Sequence, residues 1–330
     1  MQPNVISRRS LLTGAGSFAL AAPLLQQRAY AQSTFGAGGL APPSNGAFLV
    51  PIIQQLGLDQ KLGMAFDIKL YGDQALLYSD FATGRSTNIY SVMFAGANLY
   101  AQGVPIQALF TISTANGAFV SRDPKITKIS DLKGKTIAAP TSSGFWGMTL
   151  VYLAKNGLDP RKNINVISAP ASGVITQLMA ERVDAGLVFD PAISNMTLKG
   201  YHLVGDMVSG VRSALSMPPS APLWFVGCTA HKEWIDADPS RALKVLRMWQ
   251  EAADFYNDHG KEADKIISEF VKMPIEALQR SRELKITNFK VVPAINEKQN
   301  MNILFKAFAD GGFMKPLPDD GFYYQWPKGT

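Results

Sequence analysis

Apolar residues recur at helical spacing from about 47 to 58, where Phe48, Leu49, Ile52, Ile53 and Leu56 share one face. The period then changes. Phe66-Asp67-Ile68-Lys69-Leu70-Tyr71 alternates, as a half-buried strand does. Asp73 supplies the cap for a helix through Leu76, Leu77 and Phe81 that ends at Gly84. Strands are predicted at 88–94 and 106–112, separated by a short helix at 95–101 that stops at Gly103. Strand and helix in regular alternation predict an α/β layer with a parallel sheet.

The alternation then restarts. Ser130 is placed to cap a single helical turn that Gly134 closes, and Thr136 to Ala139 reads as a strand. A helix at 144–156, a strand at 164–168, a helix at 173–182 and a strand at 185–189 follow. This is a second α/β unit. After Gly205 the chain is rich in glycine and proline and reads as a loop returning to the first unit. A strongly apolar strand at 223–229 precedes a wholly helical remainder. There Leu243, Leu246, Trp249, Ala253 and Tyr256 form one buried stripe and Met301, Leu304, Phe305 and Phe308 another.

The first 31 residues stand apart. Arg8-Arg9 precedes the uncharged apolar stretch 11–25, and Ala29-Tyr30-Ala31 offers a small-x-small cleavage site. The stretch is broken by Gly14, Gly16 and Pro23 and falls short of the ~20 apolar residues that a bilayer core requires. The segment reads as a twin-arginine export signal cleaved after Ala31, which places the mature protein in the periplasm. Arg8, Arg9 and Arg28 supply three of the six net positive charges and the signal has no acid, so the mature chain carries +3. A nucleic-acid partner loses its electrostatic support at that charge. Cys228 is the single cysteine, so no intrachain disulfide can form, and its apolar neighbours predict a buried thiol.

Three stretches carry a family resemblance: Ser130-Asp131-Leu132-Lys133-Gly134-Lys135-Thr136-Ile137-Ala138-Ala139-Pro140, which leads into Thr141-Ser142-Ser143-Gly144; Glu181-Arg182-Val183-Asp184-Ala185-Gly186-Leu187-Val188-Phe189-Asp190-Pro191; and Ala101-Gln102-Gly103-Val104-Pro105-Ile106. The mature chain resembles the periplasmic solute-binding proteins of ABC importers, within the nitrate/sulfonate/taurine-binding group that shares its domain with thiamine-pyrimidine synthase-like proteins. The resemblance implies a type II periplasmic-binding fold: two α/β lobes around a ligand cleft, joined by two hinge strands. Lobe one is then expected at about 33–118 and 221–330, and lobe two at about 119–220. It also implies a small-molecule ligand, a permease and ATPase complex at the inner membrane as partners, and a monomer. An enzyme of the synthase type and a ligand-presenting sensor subunit are the alternatives. The synthase relatives depend on a cysteine-rich motif with nearby histidine, whereas this chain has one cysteine and its His202, His231 and His259 lie far apart. No cofactor and no catalysis are expected.

Ligands of open α/β sheets bind beyond the carboxyl ends of the strands. Here those ends are the loops at 42–46, 92–96, 113–117, 141–146 and 189–192. In the loop at 141–146, Ser142, Ser143 and Gly144 combine hydroxyls, free backbone N–H groups and the positive end of a helix, which suits a carboxylate or sulfonate. A plain helix cap by Ser142 or Ser143 is the competing role. Phe145 and Trp146 are candidates to stack on a flat ligand, with one of the two facing the cleft. Asp190 is a candidate acceptor or else a helix cap. Asn45 and Asn116 are loop amides able to donate and accept, or turn residues. Met93 and Phe94 complete an apolar wall.

Overall fold

The computed structural model describes residues 36–42, 44–310, 314 and 317–327, and of Asn45 only the backbone. The export signal and its cleavage site lie outside the described residues. No helix among those described is long and apolar enough to cross a membrane.

The chain begins with β1 (Gly36–Leu40), α1 (Leu49–Leu56), α2 (Leu58–Lys61), β2 (Asp67–Tyr71), α3 (Gln74–Ala82), β3 (Asn88–Val92), α4 (Met93–Ala101) and β4 (Ile106–Thr114). The expected helix at 47–58 is cut at Gly57, whose φ of 58° turns the chain into the left-handed region. Asp73 caps α3 as expected, its Oδ1 accepting from the N–H groups of Ala75 and Leu76 at 2.7 and 3.1 Å.

The second unit contains β5 (Gly117–Ser121), β6 (Thr136–Ala139), α5 (Gly144–Lys155), β7 (Asn165–Ser168), α6 (Ala171–Met179), β8 (Ala185–Phe189), α7 (Ala192–Leu198), β9 (His202–Leu203) and α8 (Met207–Ala214). Two of these differ from the sequence reading. Only the first residue of β5, Gly117, has a place in the sequence reading, at the end of a loop, and α8 falls in the stretch read as a loop. The α8 segment buries only Met207 and Val211, a stripe too narrow to outweigh Gly210 in the pattern. The turn before β6 is capped by Asp131 and not by Ser130: its carboxylate accepts from Thr127 N–H at 3.0 Å and Lys128 N–H at 3.1 Å.

The chain then returns through β10 (Trp224–His231) and continues as α9 (Lys232–Ala237), α10 (Ser240–Asp258), α11 (Gly260–Val271), α12 (Ile275–Leu284), β11 (Phe289–Pro293) and α13 (Lys298–Asp310). β11 corrects the all-helical expectation for this region.

Two sheets result. The first has the order β11-β4-β10-β3-β1-β2, the second β7-β6-β8-β5-β9. β1 runs parallel to β2 and β3, and β6 runs parallel to β7 and β8, as the alternation predicts. β10 inserts antiparallel between β3 and β4. All eight of its residues are buried, the polar Thr229 and His231 included, and the run from Trp224 to Cys228 is apolar throughout. The chain passes to the second sheet between Thr114 and Gly117 and returns just before Trp224. These two crossings lie side by side, with Ala115 N–H donating to Leu223 O at 2.8 Å. The expected division at 118/119 falls two residues into β5, a strand of the second sheet. The fold is thus a two-lobed α/β architecture with two crossings between the lobes.

Candidate functional site

The two lobes meet at the carboxyl ends of their parallel strands. β3 runs into α4 without a loop, so Val92 ends the strand and stands at the head of the helix. Across the seam, β6 ends at Ala139 and Ser143 caps α5, its Oγ accepting from Trp146 N–H at 3.3 Å. A methyl group on Gly144 would lie 3.2 Å from Val92 and 3.1 Å from Phe94. The amino ends of α4, from one lobe, and α5, from the other, are therefore in van der Waals contact. Each carries first-turn N–H groups without intrahelical partners and the positive end of a helix dipole.

Aromatic rings surround this junction. Phe94 packs against Phe308 of α13 with centroids 4.4 Å apart. Phe308 lies against Gly147 of α5, where a methyl group would come within 2.6 Å of the ring. Phe145 stands edge-on to Phe189 at 5.1 Å and to Phe225 at 5.3 Å. Gly117 leaves room for it, since a methyl group there would be 2.4 Å from the Phe145 ring. Two buried polar atoms border the seam from the first sheet: Ser113 Oγ and Trp224 Nε1 have no partner among the described residues. Val226 pairs with both Val92 and Ser113, which puts the serine at the level where β3 ends.

The structure brings Phe94, Ser143, Gly144, Phe145 and Trp146 together at this seam, and Asn116 precedes the Gly117 that floors it. Ser142 is exposed beside them. Phe145 and Trp146 are both buried, at 1% and 7% exposure. Asn45 lies in a single turn of 3-10 helix, Asn45–Ala47. Met93 points away from the seam; its sulfur fills the space that a side chain at Gly227 would need.

Asp190 requires a correction. Its carboxylate is fully buried and both oxygens are taken by protein donors. Oδ1 accepts from Ser194 Oγ at 2.5 Å and Ser194 N–H at 3.3 Å, while Oδ2 accepts from Thr287 Oγ1 at 2.8 Å and from the Ser281 hydroxyl. It presents no acceptor to a solute. Burial pushes this carboxyl above the usual carboxylate range, and the hydrogen bonds oppose the shift. Asn116 is tied to the same residue: its Nδ2 donates to Asp190 O at 3.3 Å, and its own carbonyl accepts from Asp190 N–H at 3.1 Å.

Phe189 and Phe225 were not singled out from the sequence, and Phe308 was read only as core. A wall of the seam and a core position share the same apolar pattern, so periodicity has no power to separate them. Gly147 inside a helical run was the available signal, since an interior helix glycine often marks a close approach.

Comparison with curated protein sequences finds no match. Among solved structures the fold is shared with the periplasmic aliphatic sulphonate-binding protein SsuA from Escherichia coli, at 16% identity and a TM-score of 0.69 over 89% of this chain and 93% of that one. The alkanesulfonate-binding protein SsuA from Xanthomonas axonopodis pv. citri, bound to MOPS, aligns at 17% identity and TM-score 0.70 over 87% and 94%. The periplasmic nitrate-binding protein NrtA from Synechocystis PCC 6803 aligns at 17% and 0.60 over 74% and 68%. The model of the NMT1/THI5-like family matches residues 63–263, more than half of the sequence, and the chain belongs to that family.

Proposed function

We propose that this protein is the extracytoplasmic solute-binding component of an ABC importer, without catalytic activity of its own. It captures a small organic anion with an apolar or aromatic body between its lobes and delivers it to a membrane permease and ATPase. The observation that carries this reading is the meeting of two helix amino ends inside an aromatic seam. Peptide dipoles and unpaired N–H groups favour a sulfonate or carboxylate head, and the rings favour an apolar body. Ser113 Oγ and Trp224 Nε1 are buried donors that a head-group oxygen can satisfy. Ser143, Gly144, Phe94, Phe145 and Trp146 form the site in this reading. Asn116 supports it from the crossing, and Asn45 and Ser142 are assigned to it from the sequence. The double-arginine leader supports twin-arginine export to the periplasm, and a monomer suffices because both walls of the site come from one chain. The expected affinity is ~micromolar, equivalent to about −8 kcal/mol.

Thermal-shift screening of sulfonates including MOPS, aromatic carboxylates, nitrate and pyrimidines tests the proposal. A sulfonate or aromatic carboxylate is expected to raise the melting temperature in proportion to the logarithm of its concentration. No shift from any of these solutes would overturn it.

A further inference from the structure

Asp190 is an acid surrounded by hydroxyl groups. Four donors reach its carboxylate, and they come from three parts of the chain: Ser194 from α7 of the second lobe, Ser281 from α12, and Thr287 from the segment leading into β11 of the first sheet. Its backbone is held separately, by the pair of hydrogen bonds with Asn116 in the first crossing. Capping α7 alone would need only the two bonds to Ser194, and an asparagine would do that without burying a charge. A buried carboxylate is disfavoured unless donors offset its lost hydration. Two of those donors stand across the boundary between lobes.

The surroundings make this a junction. α12 packs along α7, while α11, which precedes it, packs on α1 and α10 of the first lobe. Arg282 of α12 donates to Asp264 of α11 at 2.8 Å and lies over the Tyr256 ring of α10 at 3.8 Å. Asp190 therefore sits where the first crossing, the helical layer of lobe one and the end of β8 in lobe two converge. The residue before it is Phe189, whose ring meets Phe145 at the amino end of α5.

We propose that Asp190, Ser281 and Thr287 form an interlobe pin. They are positioning residues: by holding the turn after β8 against α12, they set the angle at which the aromatic seam closes. The proposal rests on reading that seam as a ligand site between lobes that open and close. Opening at this point would break the bonds from Ser281 and Thr287 and return the carboxylate to water, so the pin has a closed, hydroxyl-bound state and an open, hydrated one.

The test is an interlobe distance measurement by pulsed electron resonance on the unliganded protein, with spin labels at Leu76→Cys on α3 and Met179→Cys on α6. Both positions are exposed, whereas Cys228 is buried. Thr287→Val and Ser281→Ala are expected to broaden the distribution toward longer distances, and Thr287→Ser to restore the wild-type distribution. With MOPS as probe, Thr287→Val is expected to raise the apparent Kd about three- to tenfold, as a smaller closed population dictates. A lower melting temperature for Thr287→Val with an unchanged distance distribution would overturn the pin and leave these residues a structural role only. Ser281→Ala removes a single donor and serves if Thr287→Val does not fold; an unchanged distribution there has the same meaning. A pin-dependent distribution in a protein that no screened solute stabilises would instead overturn the ligand reading alone.

Discussion

Gly147→Ala asks whether α5 and α13 touch across the lobes. In an isolated helix the change stabilises by up to ~1 kcal/mol, because glycine loses more backbone entropy than alanine on folding. Here the new methyl group would stand 2.6 Å from Cε1 and 3.0 Å from Cδ1 of Phe308, well inside contact distance. The ring has little freedom to retreat, since Phe94 packs on it at 4.4 Å and Phe308 is 1% exposed. Overpacking of this kind costs about 1–3 kcal/mol. The net expectation is a destabilisation of about 0–2 kcal/mol in the wild-type background. Phe308→Ala by itself should cost ~3–5 kcal/mol as a buried ring is lost. In that background the clash is gone, and Gly147→Ala should now stabilise by up to ~1 kcal/mol. The coupling energy of the double-mutant cycle is then about 1–3 kcal/mol. Urea unfolding of the four proteins measures it. If Gly147→Ala has the same effect with and without Phe308, the two side chains are not in contact and the interlobe seam is not closed by α13.

Three further outcomes are expected. Ser143→Ala removes the cap of α5 and should cost ~1 kcal/mol in urea unfolding, together with a weaker response to any stabilising sulfonate; unchanged values in both measurements would remove Ser143 from the site. Asp264→Ala strands Arg282, which pairs with that nearly buried carboxylate at 2.8 Å, and should cost ~3–5 kcal/mol; a loss below ~1 kcal/mol would mean that the pair is hydrated. Because the carboxyl of Asp190 titrates higher in the folded state than the ordinary ~3.9, its contribution is fully present below that value and is lost as pH rises through the raised one. The melting temperature of Asp190→Asn relative to wild type should therefore climb as pH rises above the ordinary carboxylate range. The neighbouring Asp264, also held high by burial, titrates in both proteins and cancels. A pH-independent difference would contradict the assignment.

Most of the architecture follows from local pattern. The strands at Asp67–Tyr71, Asn88–Val92, Thr136–Ala139 and Ala185–Phe189 are legible because side chains alternate or run apolar over lengths that only a strand fits. The caps at Asp73 and Ser143 are legible because a cap acts over two or three residues. β5 escapes notice because five consecutive buried residues beginning with glycine have no period to read.

The sequence by itself determined two α/β units and a capped helix opening toward the strand ends. These depend on hydrogen bonds and side-chain spacings within a few residues. Only the tertiary structure decided what Asp190 does, because its partners Ser281 and Thr287 stand 91 and 97 residues away. The aromatic seam was decided the same way: Phe94 and Phe145 read as cleft candidates and Phe308 as core, and their common location with Phe225 depends on how two sheets dock. Burial pattern shows that a side chain is covered, but what covers it is a property of the packed chain.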